Sequence, residues 1–262
     1  LNRTRSCYLA IIIQALQPIV ATIEFIGECA IIVQRTLMRL FSRPLESGEW
    51  IGQMSFVGVN SIPIVVMTTL FSGAVLALYA SDVLQLYGAG SLTGSLVGLA
   101  VTREIAPVLA GIMVAARCGS SMAAQIGQMA VTEQVDALTS LNVNPINYLV
   151  IPRFVACVLG LPILCLVGCY AGILGGLWVS SFSGVPQESF MNSLRQFVQP
   201  WDFIGGMIKT LVFGVIVSVV ACQQGLRCRD GAVGVGRATT NSVVIAMVLI
   251  YFANFLLAAA LY

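Results

Sequence analysis

Long apolar runs alternate with short polar interruptions along this chain, and the first run differs from those that follow. Over residues 7–40, Gln14, Gln17, Glu24, Glu28, Arg35 and Arg39 recur at helical spacing within an otherwise apolar stretch. A helix crossing a bilayer must hide such a stripe, whereas one lying in the interface sets it among the headgroups. The stripe therefore predicts an interfacial helix, broken near Pro18. Residues 42–48 read as a turn, and residues 50–60 as a second amphipathic piece anchored by Trp50. Residues 1–60 are thus assigned to the membrane surface.

The later runs lack that stripe. Residues 61–80 carry no charge and match the roughly 20 residues needed to cross about 30 Å of hydrocarbon. A short polar turn follows over 82–91. The second span, 92–124, exceeds what a crossing needs and is expected to tilt or project, with Pro107 loosening it. Residues 154–182 form a third span in which Gly168, Gly172 and Gly176 stand four apart. Residues 183–200 read as an external loop with Glu188 and Arg195, 201–222 as a fourth span and 238–262 as an uncharged fifth. The expected fold is all-α and polytopic, with N-terminal interfacial helices followed by five transmembrane helices over 61–262.

Between the second and third spans the pattern changes twice. Gly111, Ala115, Gly119, Ala123 and Gly127 share one helix face and form a packing surface that admits another backbone. The next segment, about 131–142, is too short and polar to cross a bilayer. Thr132 is expected as its N-cap, Glu133 and Asp136 lie near the positive end of its dipole, and Val135, Leu138 and Leu141 fall on one side. It is expected to lie outside the membrane. Pro145 and Pro152 then punctuate the re-entry.

Composition narrows the function classes. The 262 residues are 58% hydrophobic and 9% charged, with net charge +2, eight cysteines and no histidine, and the mean hydropathy is +0.94. These values exclude a soluble globular domain and give no basic stripe for nucleic acid. Without histidine a zinc site is not expected, and the cysteines read as small apolar packing residues. No small-residue cleavage site follows the first apolar stretch, so no secretory signal is expected there. Arginines gather on one side: Arg3, Arg5, Arg35, Arg39 and Arg43 before the first span, Arg153 before the third, and Arg227, Arg229 and Arg237 before the fifth; the other side has Arg195. The positive-inside rule makes the N-terminus and the external helix cytoplasmic or stromal.

Catalytic machinery is not evident. Lys209 is the only lysine, and the residues before it do not form a G-x-x-x-x-G-K-[ST] loop. Powered transport would need a separate ATPase, for which Thr132, Glu133, Gln134, Asp136 and Leu138 of the external helix are the candidate contacts. Arg103 and Glu104 in the second span and Lys209 in the fourth fall at similar depth if Asp202 marks the membrane surface. Such charges are costly in hydrocarbon unless paired or wetted. Spacing alone leaves two readings open: a headgroup pocket in which Glu104 balances Arg103 and Lys209, or a structural ion pair locking two helices. Leu76 and Tyr79 of the first span are expected as apolar wall. Arg117 is expected to snorkel or to cap carbonyls of the loop at 231–237. In that loop Gly234 and Gly236 permit a tight turn, Arg237 stays at the interface, and Thr239 or Thr240 caps the next helix.

The stretch ARCGSSMAAQIGQMAVTEQVDAL, followed by NPINYLVIPR, and the later GAVGVGRATTNSVV resemble the two signatures of the MlaE permease family, membrane subunits of ABC transporters that move lipids between membranes. The resemblance implies that the external helix is the coupling helix and that Arg103, Glu104 and Lys209 line a lipid cavity. It implies a homodimer carrying phospholipids or related polar lipids, a P-loop ATPase subunit that uses ATP and Mg, and an MCE-domain lipid-binding protein on the far side. It further implies no cofactor on this chain, and a bacterial inner membrane or chloroplast inner envelope. The chain departs from the family pattern at Gln125, where many members carry an acid, and at Ala116, usually glycine. A rival without the resemblance is an unpowered secondary transporter or channel using the three charges as an ion site. A cysteine-based lipid-modifying enzyme lacks a base beside its nucleophile.

Overall fold

A computed structural model describes Val20, residues 23–39 and residues 47–262, the last with side chains from Trp50 onward. Two compact units divide the chain, Leu1–Arg43 and Pro44–Tyr262. In the first, residues 23–39 are helical, with Glu24, Glu28 and Arg35 exposed. The expected break at Pro18, the polar positions Gln14 and Gln17, and residues 40–46 lie outside the described residues.

The second unit has five helices long and apolar enough to cross a membrane: Trp50–Leu86, Gly90–Val131, Ile146–Phe182, Pro200–Leu226 and Gly231–Leu261. There is no strand among the described residues, and the chain is an all-α polytopic membrane protein. The piece expected over 50–60 is the helix Ser47–Val57, followed by Gly58 and the 3-10 turn Val59–Ser61. Pro63 then starts Ile62–Leu86, where a missing N–H costs nothing.

Glycines bring the first and third spans together. A methyl on Gly73 would overlap the carbonyl of Gly172, and one on Gly175 the carbonyl of Leu70. Gly168 faces Thr69 and Val65, while Gly172 and Gly176 also receive Val101 and Val97 of the second span. The four-residue glycine spacing of the third span is thus a real contact face, and both neighbours use it.

The small-residue row of the second span meets the fourth and fifth spans and their connection: Gly111 faces Phe213 and Ile250, Gly119 faces Val217 and Ser242, and Gly127 faces Cys228 and Val235. A four-residue step overshoots a 3.6-residue turn by about 40°. The π turn Ala115–Gly119 holds one extra residue and draws the row back into line. Gly111, Ala115, Gly119, Ala123 and Gly127 are all buried.

Several expectations need correction. Residues 183–200 are not a loop: Gln187–Phe197 is an amphipathic helix whose Phe190 is fully buried. Gly94 of the second span lies against the backbone of Phe190, and Gly98 under Val198 and Leu194. The fifth span starts at Gly231, where φ is +61°. That glycine makes the turn, and Gly234 and Gly236 are helical. Thr239 and Thr240 donate back to the carbonyl of Gly236 and do not cap the helix. Thr132 is not an N-cap either. It ends the second span, with its hydroxyl donating to the carbonyl of Gln128; Glu133 turns the chain at φ +58°, and the short helix is Gln134–Ser140.

Candidate functional site

The site begins with a missing proton. Pro107 has no N–H, so the carbonyl of Arg103, four residues earlier, loses its helical donor. The helix opens into a π turn over Val101–Ile105, and Lys209 Nζ of the fourth span donates to the freed carbonyl at 2.9 Å. The same ammonium pairs with Glu104 Oε1 at 2.7 Å. A proline inside one span is thereby met by a lysine inside another.

A second ion pair lies alongside. Arg103 Nε donates to Asp202 Oδ1 at 2.8 Å. Asp202 Oδ2 accepts the backbone N–H of Gln199 at 2.8 Å, closing a capping box at the head of the fourth span. The fifth span adds Asn254, whose Nδ2 donates to Glu104 Oε2 at 2.7 Å, and Tyr262. The Tyr262 ring lies under both cations, 4.4 Å from Arg103 Cζ and 5.2 Å from Lys209 Nζ, and its hydroxyl donates to the carbonyl of Asp202 at 3.4 Å. Its close approach needs Gly205, where a side chain would strike the phenol oxygen.

Exposure divides the four charges. Lys209 is 0% exposed and Asp202 2%, while the side chains of Arg103 and Glu104 keep 37% and 43%. Two charges lock helices together and two face outward. Arg103 has no partner for its Nη atoms among the described residues, and Asn254 Oδ1 is buried without a donor. Of the two readings that spacing left open, the structure contains the interhelical ion pairs, and it leaves one edge of the cluster unsatisfied.

Leu76 is half-buried and packs against the core cluster that contains Val101, Ala106, Cys165 and Cys169. Tyr79 is 66% exposed and shares an open groove with Phe71, Ser72, Val75 and Leu76. Among the described residues no ion pair or ring contact of the four charges involves Tyr79. At the other end of the second span, Thr132, Glu133, Gln134 and Asp136 are exposed, Val135 and Leu138 are half-buried, and Leu141 is exposed. The short helix thus offers an acidic, solvent-facing side.

A family profile described as Permease MlaE matches residues 50–260. The chain belongs to the MlaE permease family. Among its relatives, a probable ABC transporter permease protein of Rickettsia bellii is 42% identical over 235 residues, 89% of this chain and 91% of that protein. One of Synechocystis is 43% identical over 206 residues, 78% of each chain. The chloroplastic protein TRIGALACTOSYLDIACYLGLYCEROL 1 of Arabidopsis thaliana is 34% identical over 230 residues, 87% of this chain and 66% of that protein. This MlaE permease is therefore an integral membrane subunit of an ABC transporter.

Two further arginines of the permease brace its helix joints. Arg117, in the π turn Ala115–Gly119, does not cap carbonyls of residues 231–237, which are helical. Its Nη1 donates to the carbonyl of Phe56 at 3.0 Å and to Ser61 Oγ at 2.9 Å, and its guanidinium lies 5.2 Å from the Phe56 ring. It closes the joint where Ser47–Val57 meets the first span, a partner 61 residues away that helical spacing does not reveal. Arg153 donates to the carbonyl of Leu149 at 2.7 Å and to Gln125 Oε1 at 3.1 Å. Gln125 thus ties the second span to the re-entry segment through a neutral acceptor. Cys118, Cys157, Cys165, Cys169, Cys222 and Cys228 are buried free thiols and Cys29 is half-buried; Cys7 lies outside the described residues.

Proposed function

We propose that this permease carries phospholipids or related polar lipids between membranes, powered by a separate P-loop ATPase. The observation that carries the reading is the half-open cluster of Arg103, Glu104, Lys209 and Asp202, set among apolar spans with donors and an acceptor left unmet. An edge of that kind suits a polar headgroup whose chains stay in hydrocarbon. The naming of the Arabidopsis relative after a galactolipid points to the same class of cargo.

In this reading two copies form the membrane core and an MCE-domain lipid-binding protein receives or delivers the lipid on the far side. The ATPase handles ATP and its Mg, and docks on Gln134–Ser140. Its closure pushes that helix, and the thrust passes along the second span to Arg103 and Glu104. The two π turns of that span, Val101–Ile105 and Ala115–Gly119, are the points at which its register can shift. The short helix faces the cytoplasm or stroma, and the membrane is a bacterial inner membrane or a chloroplast inner envelope.

The test is purification of the tagged chain with its native partners. Co-isolation of a P-loop ATPase together with a polar lipid supports the proposal. Isolation with neither overturns it, as does transport that follows an ion gradient and ignores ATP.

A further inference from the structure

We infer that the cluster takes lipids whose headgroups are net neutral, zwitterionic or glycosyl, in preference to anionic ones; this rests on the lipid-carrying reading above. Arg103 pairs with Asp202 and Lys209 with Glu104, at 2.8 and 2.7 Å. Two cations and two carboxylates cancel, and both of the fully enclosed charges, Lys209 and Asp202, are already spent on protein partners. An arriving anion therefore brings a charge that nothing at the site balances, in surroundings where an unbalanced charge is costly. A net-neutral headgroup brings none.

The open valences are also mixed in sign. The Nη edge of Arg103 offers donors for a phosphate or sugar oxygen. The Tyr262 ring covers its face and Asp202 holds Nε, so the remaining edge is fixed in direction. Asn254 Oδ1 lacks a donor, and the carboxylate of Glu104 beside it is part exposed. Together these ask for a ligand that carries an acceptor and a donor on one headgroup, as an ethanolamine phosphate or a galactose does. A phosphate monoester dianion, which has no proton to donate, meets only the arginine edge.

The expected charge dependence is direct. Asp202→Asn keeps an oxygen to accept the Gln199 N–H, and Glu104→Gln keeps an oxygen for Lys209, yet each leaves the cluster with one positive charge. Either change should turn the preference toward anionic lipid. The full chain in detergent is mixed with equimolar phosphatidylethanolamine, monogalactosyldiacylglycerol and phosphatidylglycerol, and the retained lipid is counted by native mass spectrometry. The wild type should retain the neutral lipids over phosphatidylglycerol by about tenfold, and each variant should lower that ratio by about tenfold. The ratio between the two neutral lipids shows whether the zwitterion or the sugar is preferred. Equal retention, an anionic preference in the wild type, or a ratio unmoved in both variants overturns the inference while leaving lipid carriage intact. A wild type that retains no lipid overturns the carriage reading itself.

Discussion

Lys209 is held by geometry rather than by charge alone. It is fully buried and serves two acceptors, Glu104 Oε1 and the carbonyl that Pro107 leaves open. Lys209→Met should destabilise the chain by about 2 kcal/mol, below the usual cost of breaking a buried pair because Glu104 keeps part of its solvent contact. Adding Glu104→Gln should restore more than half of that loss, since no carboxylate is then stranded. Equilibrium unfolding in mixed detergent measures the cycle; additive losses would show that the two side chains do not couple. The charged half of this cluster was legible in the sequence because a charge inside an apolar run must find a partner. The rest was hidden: Asp202 sits at a run end and reads as a surface marker, and Tyr262 is only the last residue of the fifth span. Asn254, an amide deep in an uncharged run, was the missed signal.

At the scale of elements, two kinds of glycine look alike in sequence and differ in the fold. Gly73→Ala should cost about 1–3 kcal/mol, because its methyl overlaps backbone that cannot step aside. Gly119→Ala meets Val217 at 3.4 Å and should stay within about 1 kcal/mol of wild type, helped by the helix propensity of alanine. Thermal unfolding in one detergent separates the pair, and an equal loss at both positions would sink the assignment. The spacing of small residues was thus readable as a contact face, whereas how closely each contact approaches depends on the opposing surface. The π turns were not readable at all. Pro107 signals a disturbance, but the widened turn also needs Lys209 on another helix to occupy the freed carbonyl. Pro107→Ala returns an N–H to that carbonyl in competition with Lys209. It should leave stability equal or higher while reducing lipid transport several-fold, since the π turn that aims Arg103 and Glu104 loses its cause. Transport at the wild-type rate would mean the turn is structural only. Gln187–Phe197 escaped notice for a different reason: Phe190, Leu194 and Phe197 make a helical stripe, but only eleven residues long between two stronger runs.

Across the whole molecule the charged cluster and the short acidic helix sit near opposite ends of one 42-residue helix, Gly90–Val131. If one end receives cargo and the other receives power, the two must fail separately. Glu133→Lys with Asp136→Lys reverses an exposed face without touching the buried row of small residues. It should abolish ATPase association and transport while lipid retained by the isolated chain stays at the wild-type level. Arg103→Lys keeps a cation for Asp202 but removes the forked Nη edge. It should lower lipid retention by about tenfold while the ATPase still associates. Pull-down of the ATPase and native mass spectrometry of the lipid, run on both variants, fill the four cells of this comparison. Loss of both readouts in either variant would mean that the ends cannot be uncoupled, and the second span would then be one rigid element rather than a lever with two handles. The π turns argue for the lever: Val101–Ile105 carries Arg103 and Glu104 themselves, Ala115–Gly119 lies between them and the short helix, and each is a place where one residue of register can be gained or lost without unfolding the helix.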